Sequence, residues 1–289
     1  MDKINVIYIA PIGYSGSTLM DRILGSYEGL QNIGEAKFFD EWVENDLKCS
    51  CTKKMSECML WGEFIMKYPE FRMGYGKGNF KLNFLYKKPN DFLEKSAKVS
   101  ENSFFLYDYL LKKTGNHTIV DSSKNLGRLA LLAHSNLFNI KIIRMVRNGK
   151  DVCASMKLEK NRPSFDDQRK TKSQLFWKSA IKWRLAHRNL TELANEYKLP
   201  VLPVHLEHLI NEEQLPAVSK KIGEFLDLDD SQVAMQKEIH SISGSHWRVI
   251  DSDHIVSGKS ESKYSIGLVE RMLFQIIAGK LNREFGYNA

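Results

Sequence analysis

The sequence predicts an α/β fold, a three-layer α/β/α arrangement around a central parallel sheet, on three observations. Short apolar runs rich in β-branched residues alternate with longer stretches of helical periodicity. The first run opens the chain and ends in a turn of small residues. No repeat, linker or composition shift divides the 289 residues. Strands that alternate with helices pair in parallel and bury both faces of their sheet.

Residues 4–10 (INVIYIA) read as a buried strand. Pro11 to Thr18 form a Gly/Ser turn, and residues 19–24 begin an amphipathic helix, completing the first half of a βαβ unit. Further strands are expected at residues 117–120, 140–146 and 201–206, each followed by a helix, at 126–134, 151–158 and 215–226. Longer helical patterns cover about 91–113 and 173–197, the second carrying Phe176, Trp177 and Trp183 as core residues. Residues 71–88 and 160–172 are expected as loops. A single domain spanning residues 1–289 accounts for this pattern.

A composition of 43% hydrophobic and 27% charged residues excludes disordered and collagenous classes. No apolar run reaches the ~18 residues a membrane helix needs. The N-terminus enters a strand without the features of a secretory signal, so a soluble, cytoplasmic protein is expected. A net charge of +7 is compatible with nucleic acid, a membrane surface or a polyanionic small molecule without choosing among them, and the spread of basic residues along the chain counts against nucleic acid.

The segment Ala10-Pro11-Ile12-Gly13-Tyr14-Ser15-Gly16-Ser17-Thr18-Leu19 carries the most chemistry. Small residues between a strand and a helix let backbone N–H groups close around an anion, helped by the positive helix N-terminus. A nucleotide kinase would need G-x-x-x-x-G-K-[ST], but Ser17 follows Gly16 where that motif has lysine.

This segment resembles the 5'-phosphosulfate loop of sulfotransferases that use 3'-phosphoadenosine 5'-phosphosulfate (PAPS), written P-[KR]-S-G-[TS]-[TS]. Their second motif is matched by Arg144-Met145-Val146-Arg147-Asn148-Gly149-Lys150-Asp151-Val152-Cys153-Ala154-Ser155, with Arg147 and Ser155 at the family's spacing. Weaker likenesses follow at Gly34-Glu35, at Asp121-Ser122-Ser123-Lys124, at residues 204–209 and at residues 222–228, in the family's order. The resemblance implies a P-loop-like fold that binds PAPS through Gly13, Tyr14, Ser15, Gly16, Ser17 and Thr18. Arg147 and Ser155 would take the 3'-phosphate, as an arginine fork with a hydroxyl can. A basic loop at Gly258 and Lys259 would close over the nucleotide.

The implied reaction moves SO3 from the phosphosulfate to a hydroxyl or amine acceptor, such as a carbohydrate, lipid or small metabolite. It needs positioning, charge stabilisation and a base, and no metal. Glu35 is expected as the base, in a half-buried place that would raise its pKa. His254 and His134 are weaker candidates. Tyr14 stands where the family has a basic residue, so Lys124 is expected to supply that cation. A non-catalytic nucleotide- or polyanion-binding relative and an atypical P-loop kinase are the competing readings. Cys49, Cys51 and Cys58, followed by Trp61, form a cluster whose spacing leaves zinc, a disulfide or free thiols open; no fourth metal ligand is evident and no metal is expected.

Overall fold

The computed structural model describes residues 2–75, 92–157, 175–228, 239–244 and 266–288. The first strand, β1 (Ile4–Ala10), leads through the Gly/Ser turn into α1 (Ser17–Gly25), which returns to β2 (Leu30–Gly34). Two short helices, α2 (Phe39–Glu44) and α3 (Gly62–Lys67), and the long α4 (Phe92–Thr114) precede β3 (Thr118–Asp121). Then come α5 (Leu126–His134), β4 (Phe138–Val146), α6 (Gly149–Lys157), α7 (Phe176–Tyr197) and β5 (Val201–His205). The helices α8 (Leu206–Leu209), α9 (Leu215–Leu226) and α10 (Leu268–Glu284) follow.

The five strands form one all-parallel sheet in the order β2-β3-β1-β4-β5. Alternation along β1 assigns its side chains to two layers. Val6, Tyr8 and Ala10 meet Leu106 and Leu110 of α4, Leu129 to Leu132 of α5 and Leu190 of α7. Ile7 and Ile9 meet Met20 and Leu24 of α1 and Ile222 and Leu226 of α9. Both faces of the sheet are covered, as parallel sheets require. A third cluster joins Val152 of α6 to Trp183 of α7 and Phe274 of α10. Among the described residues no helix is long and apolar enough to cross a membrane.

The structure corrects the sequence reading in three places. It adds β2, whose Gln31 and Asn32 interrupt the apolar run yet are buried, with Gln31 held by Asn116 at 3.0 Å. It adds α10 beyond the expected elements. Phe176 and Trp183 are core residues as expected, whereas Trp177 is 41% exposed on the outer face of α7. Residues 160–172 and most of 71–88 lie outside the described residues.

Because the sheet is parallel, the carboxyl ends of all five strands face one edge, where open α/β sheets bind ligands. Residues 239–244 join that edge beside β2. Ile242 bridges Gly34 in parallel, donating to Ile33 O at 3.0 Å and accepting from Glu35 N at 2.7 Å. Gly34 has φ 71, and an added Cβ would sit 2.4 Å from Ile242 O. Gly34→Ala should therefore cost about 2–4 kcal/mol, through a left-handed φ and a backbone clash together. Gly115→Ala shares the positive φ (71) but meets nothing within 4 Å, and should cost about 1 kcal/mol. Urea unfolding of both variants checks the difference, and equal losses would reject the clash.

Candidate functional site

The turn after β1 is shaped for an anion. Tyr14 (φ 65) and Gly16 (φ 88) take left-handed conformations, and Gly16 caps α1. The first intrahelical bond runs from Met20 N to Gly16 O at 3.1 Å, so the N–H groups of Ser17, Thr18 and Leu19 precede the helical ladder. Ser15 is fully buried and its hydroxyl has no partner among the described residues, and apart from its chain neighbours no described residue lies within 4 Å of where a Cβ on Gly13 would be. An orphaned hydroxyl beside an open glycine fits a ligand oxygen entering the turn.

Arg147 follows β4 at the same edge and reaches across to this turn. Its Nη1 donates to Tyr14 O at 2.8 Å and lies 3.5 Å from Ser155 Oγ, which α6 contributes from a buried position. The Tyr14 ring packs into the α6–α10 cluster, so the residue that lacks a charge holds the turn by contact. The structure thus brings together Gly13 to Thr18, Arg147 and Ser155. Gly258, Lys259 and His254 lie outside the described residues.

Glu35, at the end of β2, is buried with two lysines. Lys124 Nζ lies 2.9 Å from Oε1 and Lys37 Nζ lies 2.7 Å from Oε2. Lys124 sits in the turn after β3 with φ 55. That turn is fixed from below, where Asp121 Oδ1 accepts from Ser123 N at 2.9 Å and Oδ2 accepts from Arg128 Nε at 3.0 Å. Lys37 also donates to Ser123 O at 2.7 Å.

The expected rise in the Glu35 pKa is overturned. Burial opposes its charged form, but the Lys124 and Lys37 ammonium groups outweigh burial and hold the carboxyl at about 2. The sequence pattern indicated Glu35 and Lys124 but missed Lys37, two residues on, whose turn no periodicity reveals.

A second buried carboxylate was also missed. Asp21, on α1, accepts from Ser241 Oγ at 2.7 Å, and burial pushes it up from 3.8 to about 6 despite that bond. Its place on the face of α1 that also carries Met20 and Leu24 was the available signal. His134 is placed elsewhere, against the rings of Phe92 and Tyr197.

The chain matches no protein-family model and none of the curated proteins compared with it.

The opposed shifts of the two carboxyls make stability depend on pH. Asp21 binds its proton more tightly folded than unfolded, so its contribution is present below pH 3.8 and lost as pH rises through about 6. The difference in unfolding free energy between wild type and Asp21→Asn should fall by about 1–3 kcal/mol across that window. A difference curve from urea unfolding that stays flat would remove the buried-acid assignment. Glu35 behaves in the opposite sense, its contribution being present above pH 4.5 and lost as pH falls through about 2.

Proposed function

We propose that the protein is a sulfotransferase that moves a sulfuryl group from PAPS to a hydroxyl or amine acceptor, in the cytoplasm and within a single domain. The observation that carries this reading is the meeting of Arg147 and Ser155 at the carbonyl of Tyr14, beside a turn with an orphaned buried hydroxyl. The turn and the Arg147–Ser155 pair thus meet at one edge of the sheet, an arrangement that suits a ligand with two separated phosphate-type groups. When bound, PAPS supplies an activated sulfuryl group on a phosphate leaving group.

The chain's own part is positioning and charge control. Backbone N–H groups of residues 13–18 hold the 5'-side oxygens, and the guanidinium of Arg147 with the Ser155 hydroxyl holds the 3'-phosphate. Lys124, paired with Glu35, would supply the cation that balances charge during transfer, and a shift of Lys124 away from Glu35 would restore the basicity this carboxylate needs to take the acceptor's proton. A second reading is favoured by the double pairing of Glu35 with Lys37 and Lys124: a nucleotide binder without turnover, in which that carboxylate remains a counter-ion.

A thermal-shift comparison of 3'-phosphoadenosine 5'-phosphate with ATP–Mg separates both readings from a kinase, since only the former nucleotide should stabilise. Arg147→Ala should weaken that nucleotide by ~2–5 kcal/mol and leave a ligand lacking the 3'-phosphate nearly unaffected. Equal losses for both ligands would reject the assignment.

Glu35→Gln should retain nucleotide binding and lower turnover by ~10²–10⁴-fold. Lys124→Ala should lower turnover too, and should move the acid limb of the pH–rate profile to higher pH, because Glu35 loses a cation that depresses its pKa. Full activity in Glu35→Gln would transfer the role of base to Asp21. Absence of turnover with any hydroxyl or amine acceptor, alongside intact nucleotide binding, would leave the binder.

A further inference from the structure

We propose that Cys49, Cys51, Cys58 and His240 form a structural zinc site, distinct from the sulfuryl-transfer reading and independent of it. Their ligand atoms all lie within 4.8 Å of one another. Cys58 Sγ is 3.7 Å from Cys51 Sγ and 3.2 Å from His240 Nδ1, across a sequence separation of 182 residues. A tetrahedral zinc ion with Zn–S of about 2.3 Å and Zn–N of about 2.0 Å spaces its ligands roughly 3.5–3.8 Å apart. A disulfide would bring two sulfurs to about 2.05 Å. The Cys51–Cys58 separation falls in the tetrahedral range and far outside that of a disulfide, and the four ligand atoms, from 3.2 Å to at most 4.8 Å apart, surround a common centre that small side-chain shifts would bring to zinc distances.

The scaffold around these groups is built to hold them. Lys48 and Lys54 bridge across a tight hairpin in which Cys49 N donates to Lys53 O and Thr52 N donates to Cys49 O, both at 2.9 Å. Thr52 completes the turn at φ 69. Backbone N–H groups of Lys53 and Trp61 point at the sulfurs of Cys51 and Cys58. The histidine comes from the other end of the chain and is registered independently. Trp61 Nε1 donates to His240 O at 3.1 Å, Ser50 N donates to Ser241 O at 3.1 Å, and Ser241 N donates to Ser50 Oγ at 2.7 Å.

Three thiolates and one imidazole make a soft, complete tetrahedral set, which selects zinc and leaves no position for water or substrate. Binding releases the thiol protons to solvent and changes no oxidation state. Three thiolates with one Zn²⁺ carry a net negative charge, and Lys48, Lys53 and Lys54 lie on the same hairpin to offset it. The site clamps residues 239–244 to the hairpin, and the same segment pairs with Gly34 and Glu35.

The test is metal content. The full chain, purified under reducing conditions without chelator, should contain about one zinc per chain by inductively coupled plasma mass spectrometry. Replacement by Co²⁺ should give thiolate-to-cobalt charge-transfer bands and the visible bands of a tetrahedral ion. Stripping the metal with a strong chelator should lower the melting temperature. Cys58→Ser and His240→Ala should weaken Co²⁺ binding at least 10-fold, His240→Cys should retain it with a shifted charge-transfer band, and Cys153→Ser should leave it unchanged. Substoichiometric zinc in the reduced wild type, an octahedral cobalt spectrum, or affinity unchanged by Cys58→Ser and His240→Ala would each overturn the proposal. The wild-type measurements stand even if a variant fails to fold. Loss of sulfotransferase activity with intact metal binding would bear on the proposed reaction alone.

Discussion

Asp121 and Arg128 form an ion pair that water does not reach, and both side chains are fully buried. Arg128 also donates to Tyr107 Oη at 2.6 Å and lies 3.2 Å from Ser103 Oγ, while Tyr107 donates to Asp121 at 2.8 Å. These bonds occupy Nε and Nη2 of Arg128 and leave Nη1 without a partner among the described residues; removing one member of the buried pair would strand the other, at a cost of about 3–5 kcal/mol. Here the pair fixes the end of β3, and with it the turn that carries Ser122, Ser123 and Lys124. Lys124 keeps a left-handed backbone because Ser123 is tied to Asp121 on one side and to Lys37 on the other. The approach of Lys124 to Glu35 is therefore a property of the core beneath the turn as much as of the site itself.

Two carboxyls under the same sheet edge are driven in opposite directions by one variable, the presence of cations. Glu35 has two ammonium groups within hydrogen-bond distance and is held at about 2. Asp21 is as deeply buried, its close contact is a serine hydroxyl, and it rises to about 6. Lys124 bears on both, as direct partner of the first and as a more distant charge for the second. Environments that push two neighbouring carboxyls apart are the means by which enzymes separate acid and base roles. A change in the position of Lys124 alters the proton affinity of both at once.

The parallel sheet was legible because β1, β3, β4 and β5 are dominated by apolar, β-branched runs, and the glycine-rich turn after β1 declares itself by composition. β2 was not legible, since Gln31 and Asn32 break its pattern; Gln31 becomes acceptable through Asn116 and the Asn32 carbonyl, and Asn32 through its amide's bond to the Asp21 carbonyl, with its Oδ1 lacking a partner among the described residues. At the candidate site, motif spacing anticipated that Arg147, after β4, and Ser155, on α6, would lie together, and they are 3.5 Å apart. Residues recruited through distant pairing could not be anticipated in this way. Nothing near Cys58 announces His240, and nothing near Asp21 announces Ser241, because both partners arrive through the contact of residues 239–244 with the edge of β2. The local environment of Glu35 was misjudged for a different reason: burial was foreseeable, but the convergence of Lys37 from the following turn and Lys124 from the end of β3 was not.

That late segment also sets a condition on biogenesis. Ser50 and Ser241 are partners across 191 residues, so the flank of β2 stays uncovered while the intervening chain is made. At a synthesis rate of about 5–20 residues per second the interval is roughly 10–40 s. An open strand edge is a template for pairing with other chains. The nascent protein therefore passes through a period in which the outer edge of β2 is unguarded while β3, β4 and β5 are still being added, and its exposure to wrong pairing scales with the length of that interval.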